Sequence, residues 1–368
     1  MESVKNLINW MSGPTVLFTL VTVGFLVSLR YPRIWTKRNA IIGFGALTVF
    51  YVLSMFDPDF YLIVAKPDNV PITLVLYLVG FTTWYAMYQG VENDKRIERG
   101  EPVAEKQEED KVWVWPDLVY TEMLCMIILG IVLMAWSILL PAPLEQPANP
   151  ADSPNPSKAP WYFLGLQEML VYFDPWLAGV VFPTFIIIGL MAIPYLDTNP
   201  KGNGYFTFRE RRVEIGIFLY GYLVLWMLLV ISGTFLRGPN WNFFGPYEYW
   251  DQHRVEPLLN VHVSDFFWVK FLNRPLPRNP LVREWLGVLL VLFYIGVLPW
   301  LLSKPKEKLP GFLRWASLNH YLVKMGPPRY YIAVVLFLLM LSLPIKMYLR
   351  WAFNLKYIVA FPEIFFNI

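Results

Sequence analysis

One cysteine, three histidines and a charged fraction of only 16% in 368 residues remove whole classes of chemistry. A lone Cys125 excludes an internal disulfide and a thiolate cluster. It falls in an apolar run and reads as a small buried hydrophobe. The histidines, His253, His262 and His320, all lie between apolar runs. A membrane b-type haem needs axial ligands inside the bundle, so the chain has no haem or metal ligands of its own. The three histidines read as surface or interface residues. No Cys-x-x-Cys-His attachment site and no Gly-rich phosphate cradle occur. A net charge of +3 without a basic stripe argues against nucleic acid as a partner.

What is present is apolar and aromatic: 56% hydrophobic residues and 17% aromatic, with 16 Trp and 27 Phe. An ordinary soluble domain carries about 25% charged residues, so this composition belongs in lipid. A span needs about 20 mostly apolar residues. Eight such runs occur: 14–29, 40–56, 70–89, 119–140, 176–196, 213–236, 285–302 and 330–348. None alternates with period two, so helices are the spanning form, and the expected fold is an all-α, multi-pass bundle. Pro183, Pro299 and Pro344 predict kinks. The first run lacks a basic start and a small-residue cleavage site and reads as retained.

Charge between the runs gives an orientation. The first connection holds Arg30, Arg33, Lys37 and Arg38, and the second only Lys66. The third holds Lys95, Arg96, Arg99, Lys106 and Lys111, and the fourth only Lys158. The fifth and seventh are again basic; the sixth is long and escapes the rule. Both termini are therefore expected on the outer, positive side, together with connections four and six. The 91–111 stretch reads as a solvated cytoplasmic connector. Connection four opens with an extended, Pro-studded stretch holding Glu145 and Asp152, to which no role attaches. It continues from Trp161 to Phe173 as a short interfacial helix, and Asp174-Pro175 reads as its stop and as the cap of the next span. Connection six is rich in Trp, Tyr and Phe and reads as lying along the outer surface.

The segment Pro116–Asn240 resembles subunit IV of cytochrome b6f and the C-terminal part of cytochrome b in bc1-type complexes. The resemblance rests on PDLVYTEMLCMIILGIVLMAW, on APWYFLGLQEML after the Pro-rich loop, and on a span ending IPYLDTNP before RERR. The family's Pro-Glu-Trp-Tyr hallmark falls on Ala159, Pro160, Trp161 and Tyr162, so the aromatic pair is kept and the glutamate is absent. The resemblance implies a quinol-pocket region at 116–240, which leaves 1–115 as a three-span extension without a counterpart and 241–368 as an aromatic loop with two further spans. It also implies a subunit of a quinol oxidoreductase in a bacterial inner (cytoplasmic) membrane, in a dimeric complex. The partners it implies are a dihaem cytochrome b chain, a Rieske-type iron–sulfur protein and a c-type cytochrome, besides membrane lipid.

Quinol oxidation needs a flat apolar slot, a hydrogen-bond partner and a proton acceptor. Pro160, Trp161, Tyr162, Phe163, Leu164, Gly165 and Leu166 supply slot surface, Gly165 allows close approach, and Tyr162 offers a hydroxyl. Glu168 is the candidate proton acceptor: it follows Trp161 by seven residues, nearly two turns, and shares its face. On an apolar face its carboxyl should titrate above the ordinary range. The competing reading is an interfacial glutamate that snorkels or pairs with a partner's arginine. Glu122, near one end of its span, reads as solvated at the interface. Two other functions stay open: a structural anchor with a dead pocket, and a secondary transporter, for which no inverted repeat is found.

Overall fold

The computed structural model describes residues 2–107, 111–140, 144, 147–151, 153–199 and 205–368. Glu145 and Asp152 lie outside these. The chain is mostly helical, with 71% helix and 3% strand. In chain order the main helices are α1 (Glu2–Met11), α2 (Pro14–Arg30), α3 (Lys37–Ser54), α4 (Pro58–Val64), α5 (Asn69–Glu98), α6 (Val114–Leu139), α7 (Trp161–Met169), α8 (Leu177–Leu196), α9 (Arg212–Leu236), α10 (Pro280–Leu302) and α11 (Pro327–Phe353). Six of them, α5, α6 and α8 to α11, are each long and apolar enough to cross a membrane. The pairs α1–α2 and α3–α4 are bent by 76° and 113°, and the number reaches eight if each pair is one span. A helix stands at each of the eight apolar runs.

The short partners of the bent pairs were not legible as spans. At the second bend Asp57 accepts from the backbone N–H of Asp59 and Phe60, both at 3.0 Å, and Pro58 occupies the first helical turn. That is a strong restart signal for α4. The expected proline kinks resolve in two ways. Pro183 and Pro299 each follow a π-helical turn, Leu177–Val181 and Phe293–Val297, and sit at the start of the next helical segment. A wide turn upstream accommodates a ring that has no N–H to donate. Pro344 lies inside α11, which continues as one helix from Pro327 to Phe353.

The chain divides into two compact units. One comprises Met1–Trp161, Asn203–Tyr220 and Thr234–Arg254. Among its described residues two packing centres stand out. Phe60, Ile63 and Val64 of α4 are buried against Tyr51, Met55, Phe235, Tyr247 and Trp250. Met87, Val91 and Phe208 are buried against Leu29, Trp35, Ile215 and Leu219. The second centre narrows the reading of 91–111 as a solvated connector: most of its described residues are exposed, but α5 runs on to Glu98, and Asn93 and Asp94 are buried. The Asn93 amide donates to Glu105 and to the Phe206 carbonyl and its oxygen accepts from Ala104 N–H, while Asp94 accepts from Arg209 N–H. Polar side chains so satisfied can be buried at little cost. In the same unit α6 has no buried residue; Cys125 is exposed rather than buried, and Glu122 is exposed too.

The other unit comprises Tyr162–Gly202, Gly221–Gly233 and Val255–Ile368. It holds Tyr330, Val334 and Leu338 of α11 buried against Tyr294 and Leu298 of α10 and against Leu318, Tyr321, Leu322 and Tyr331. After α11 the chain turns at Asn354, which takes the left-handed conformation (φ 54°). It then forms β2 (Leu355–Tyr357), parallel to β1 (Val261–His262), and a small antiparallel pair of β3 (Ala360–Phe361) with β4 (Phe366–Asn367).

Candidate functional site

The helix α7 starts directly after Pro160 and covers nine residues. It ends earlier than the expected Phe173, because Val171 and Tyr172 bond back three residues, to Glu168 and Met169, in a tighter turn. Apolar residues at helical spacing set its inner face: Leu164, Gly165, Glu168 and Met169 are buried. A side-chain carbon at Gly165 would stand 3.4 Å from Val230 and 3.6 Å from Trp226 of α9, and one at Gly233 would stand 3.3 Å from Leu164. The close approach that Gly165 allows is thus made by the chain's own helix α9.

The expected site residues separate by face. Tyr162 and Phe163 are each half exposed, with ring centroids 4.7 Å apart. Pro160 is exposed and Trp161 is half-buried, so Tyr162 and Phe163 point outward, while Trp161, seven residues before Glu168, lies on the same side of the helix as the inner wall. Leu164 and Gly165 form its inner wall, and Leu166 is half-buried. Glu168 lies two turns along that inner wall with only 2% of its surface exposed. The Tyr172 hydroxyl, itself buried, donates to Glu168 Oε1 at 3.5 Å. A carboxylate this enclosed does not match the snorkelling alternative.

The Pro-rich stretch ahead of α7 is anchored in its own unit. Asn155 and Asn240 exchange hydrogen bonds, 2.7 Å from Asn240 N–H and 3.1 Å between the amides. The Lys158 ammonium donates to the Thr234 carbonyl at 2.8 Å and stands 4.9 Å over the Trp250 ring. Asp174 stands at the start of the next span as expected, but its side chain does not cap it. Its backbone carbonyl starts α8, accepting from Leu177 and Ala178, while its side chain accepts from Tyr357 and Asn367 of the C-terminal segment.

That segment is what sequence reasoning missed. Burial pushes the Tyr357 hydroxyl up, and its bond to Asp174 adds to the effect; burial and the nearby Arg350 pull Lys356 down. The run LKYIVAF after Asn354 is rich in β-formers and was the available signal. Of the histidines, His253 and His320 are exposed, and His262 stacks on Tyr357 at 5.2 Å. None lies in a long helix, so the residues present do not fit a bis-histidine haem. Among the described residues no group of three His, Cys, Asp or Glu converges as a metal site.

These features define a polytopic helical membrane protein with a short aromatic helix set between a Pro-rich loop and a span. Residues 147–245 match the family model described as cytochrome b(C-terminal)/b6/petD. The match begins inside the Pro-rich loop, so 116–146 of the resembling segment lies outside it, and it contains all of α7. It implies a subunit of a bc1/b6f-type redox complex. No solved structure matches the chain.

Proposed function

We propose that the chain is a haem-free subunit of a bacterial cytochrome bc-type quinol oxidoreductase, in the inner membrane with both termini outside. In this reading α7 forms one wall of the outer quinol-oxidation pocket, against a separate dihaem cytochrome b. A Rieske-type protein and a c-type cytochrome complete a dimeric assembly. The observation that carries the reading is the family match over 147–245, which spans the loop, α7 and the acidic residue behind it. Pro160, Trp161, Tyr162 and Phe163 present the slot, backed by Leu164 and Gly165, and the Tyr162 hydroxyl donates to a quinone oxygen. Oxidation of a quinol yields a quinone, two electrons and two protons, and the electrons leave to acceptors on partner chains. One of the two protons is released to the outer side, and Glu168, on the inner face of the helix, takes the other. Seven residues separate it from Trp161, about 10 Å along the axis, so that proton arrives by relay rather than by direct contact.

Positioned general bases contribute about 10²-fold or more. Glu168→Gln in the intact complex is expected to lower quinol turnover by about that factor with assembly and haem content unchanged. Unchanged turnover removes Glu168 from the mechanism. A second reading, a structural anchor with a dead pocket, draws on Pro160 occupying the hallmark glutamate position. Protection of Trp161 from labelling by a pocket-directed inhibitor decides against it.

A further inference from the structure

The C-terminal segment ends on α7. The Lys356 ammonium donates to the carbonyls of Leu170 (2.8 Å) and Val171 (3.2 Å), which close the C-terminal turn after α7. Those carbonyls carry the negative end of the helix dipole and lack helical partners, so a cation there both neutralises and fixes them. Next to it, the Tyr357 hydroxyl donates to Asp174 Oδ1 at 2.7 Å, and Asn367 donates to the same oxygen at 3.3 Å. Trp176 closes the set, donating to the Asn367 carbonyl at 3.0 Å with its ring stacked on Phe366. The segment therefore grips the chain on both sides of the α7–α8 junction.

Its own position is fixed from the opposite side. Lys346 of α11, only 1% exposed, donates to the Lys356 carbonyl at 2.5 Å. On α10, Glu284 accepts from Ala360 N–H at 3.1 Å, and Arg283 holds both the Ala360 carbonyl and the Glu363 carboxylate. Two long helices thus support a short strap, and the strap supports a nine-residue helix that is too short to be stable alone.

We propose that the strap Leu355–Ile368 sets the position of α7 for quinol, with Lys356 and Tyr357 as positioning residues. This rests on the reading of α7 as a quinol-pocket wall. Catalytic geometry tolerates little displacement: a constellation moved by about 1 Å can lose about 10²-fold in rate. Glu168 is two residues from Leu170, so any slip of the gripped turn moves the carboxylate directly. The bonds described above join the strap to the turn after α7 and to Asp174, which makes its effect one of placement.

The experiment compares Lys356→Met and Lys356→Arg in the intact purified complex. It measures amide exchange over 162–172 and the steady-state kcat and KM with a short-chain quinol, beside Glu168→Gln. The expected result for Lys356→Met is faster exchange over 162–172 and a fall in kcat/KM of about tenfold or more with haem content unchanged. Lys356→Arg is expected to restore both, since it keeps the charge. Tyr357→Phe, which removes only the bond to Asp174, is expected to give a smaller change in the same sense. Unchanged exchange in Lys356→Met overturns the grip. Faster exchange with unchanged kcat and KM overturns the positioning role. An inert Glu168→Gln would instead bring down the catalytic assignment of Glu168, and leaves the strap to be judged by its own two measurements.

Discussion

Replacing Gly287 by alanine tests how tightly the strap is seated. A methyl at that position would meet the Ile358 carbonyl oxygen far inside van der Waals contact, the Ile358 carbonyl carbon at 3.0 Å and a Val359 methyl at 3.1 Å. Two of the three atoms are backbone, so no side-chain rotation relieves the clash. The strap must lift from α10 by roughly 1 Å, a displacement that overpacked cores resist at about 1–3 kcal/mol. Lifting also stretches the bond from Ala360 N–H to Glu284, whose carboxylate is 1% exposed. A buried acceptor deprived of a partner costs about 1–3 kcal/mol more. The expected loss is therefore about 2–6 kcal/mol of local stability. It would be read as exchange of the Ala360 and Ile358 amides in the detergent-solubilised complex and as cleavage of the tail by a protease. Gly287→Ala with wild-type exchange and cleavage would refute the reasoning, because it would mean that the close approach carries no energy.

Asp57→Ala removes the cap of α4 and the carboxylate that pairs with Lys5 at 2.6 Å. A loss of about 1–2 kcal/mol is expected from the cap alone, seen as a lower midpoint of thermal unfolding, whereas an unchanged midpoint would show that the bend needs no cap. Burial holds His262 below its ordinary value of 6.5, with Lys346 and Arg283 adding to this and Asp265 and Glu284 opposing it. A histidine kept neutral in the fold contributes stability that is complete above the ordinary value and is lost as pH falls through the lowered one. Exchange of the strap amides, corrected for intrinsic rates, should therefore rise as pH is lowered below that ordinary value of 6.5. The rise should be absent in His262→Gln, and a flat wild-type profile would count against the stacked pair as a strap contact.

Sequence alone determined the membrane character and the placement of the helices. Continuous apolar runs without period-two alternation leave only one way to satisfy backbone hydrogen bonds in lipid, and a helix duly stands at each of the eight runs. The short aromatic helix after Pro160 was legible for the same local reason, and its likeness to the cytochrome b C-terminal family was carried by contiguous residues. The face on which each site residue falls was only partly legible. Spacing put Glu168 with Trp161, but that Gly165 would be spent on Trp226 and Val230 depended on how α9 packs. The tertiary structure alone decided the burial of Asn93 and Asp94, the use of Asp174 by the tail and the clasp of α7 by Lys356. These are polar contacts between residues as many as 193 positions apart. No periodicity encodes such pairs; they exist because a buried donor or acceptor must find whichever partner the packed helices bring within reach.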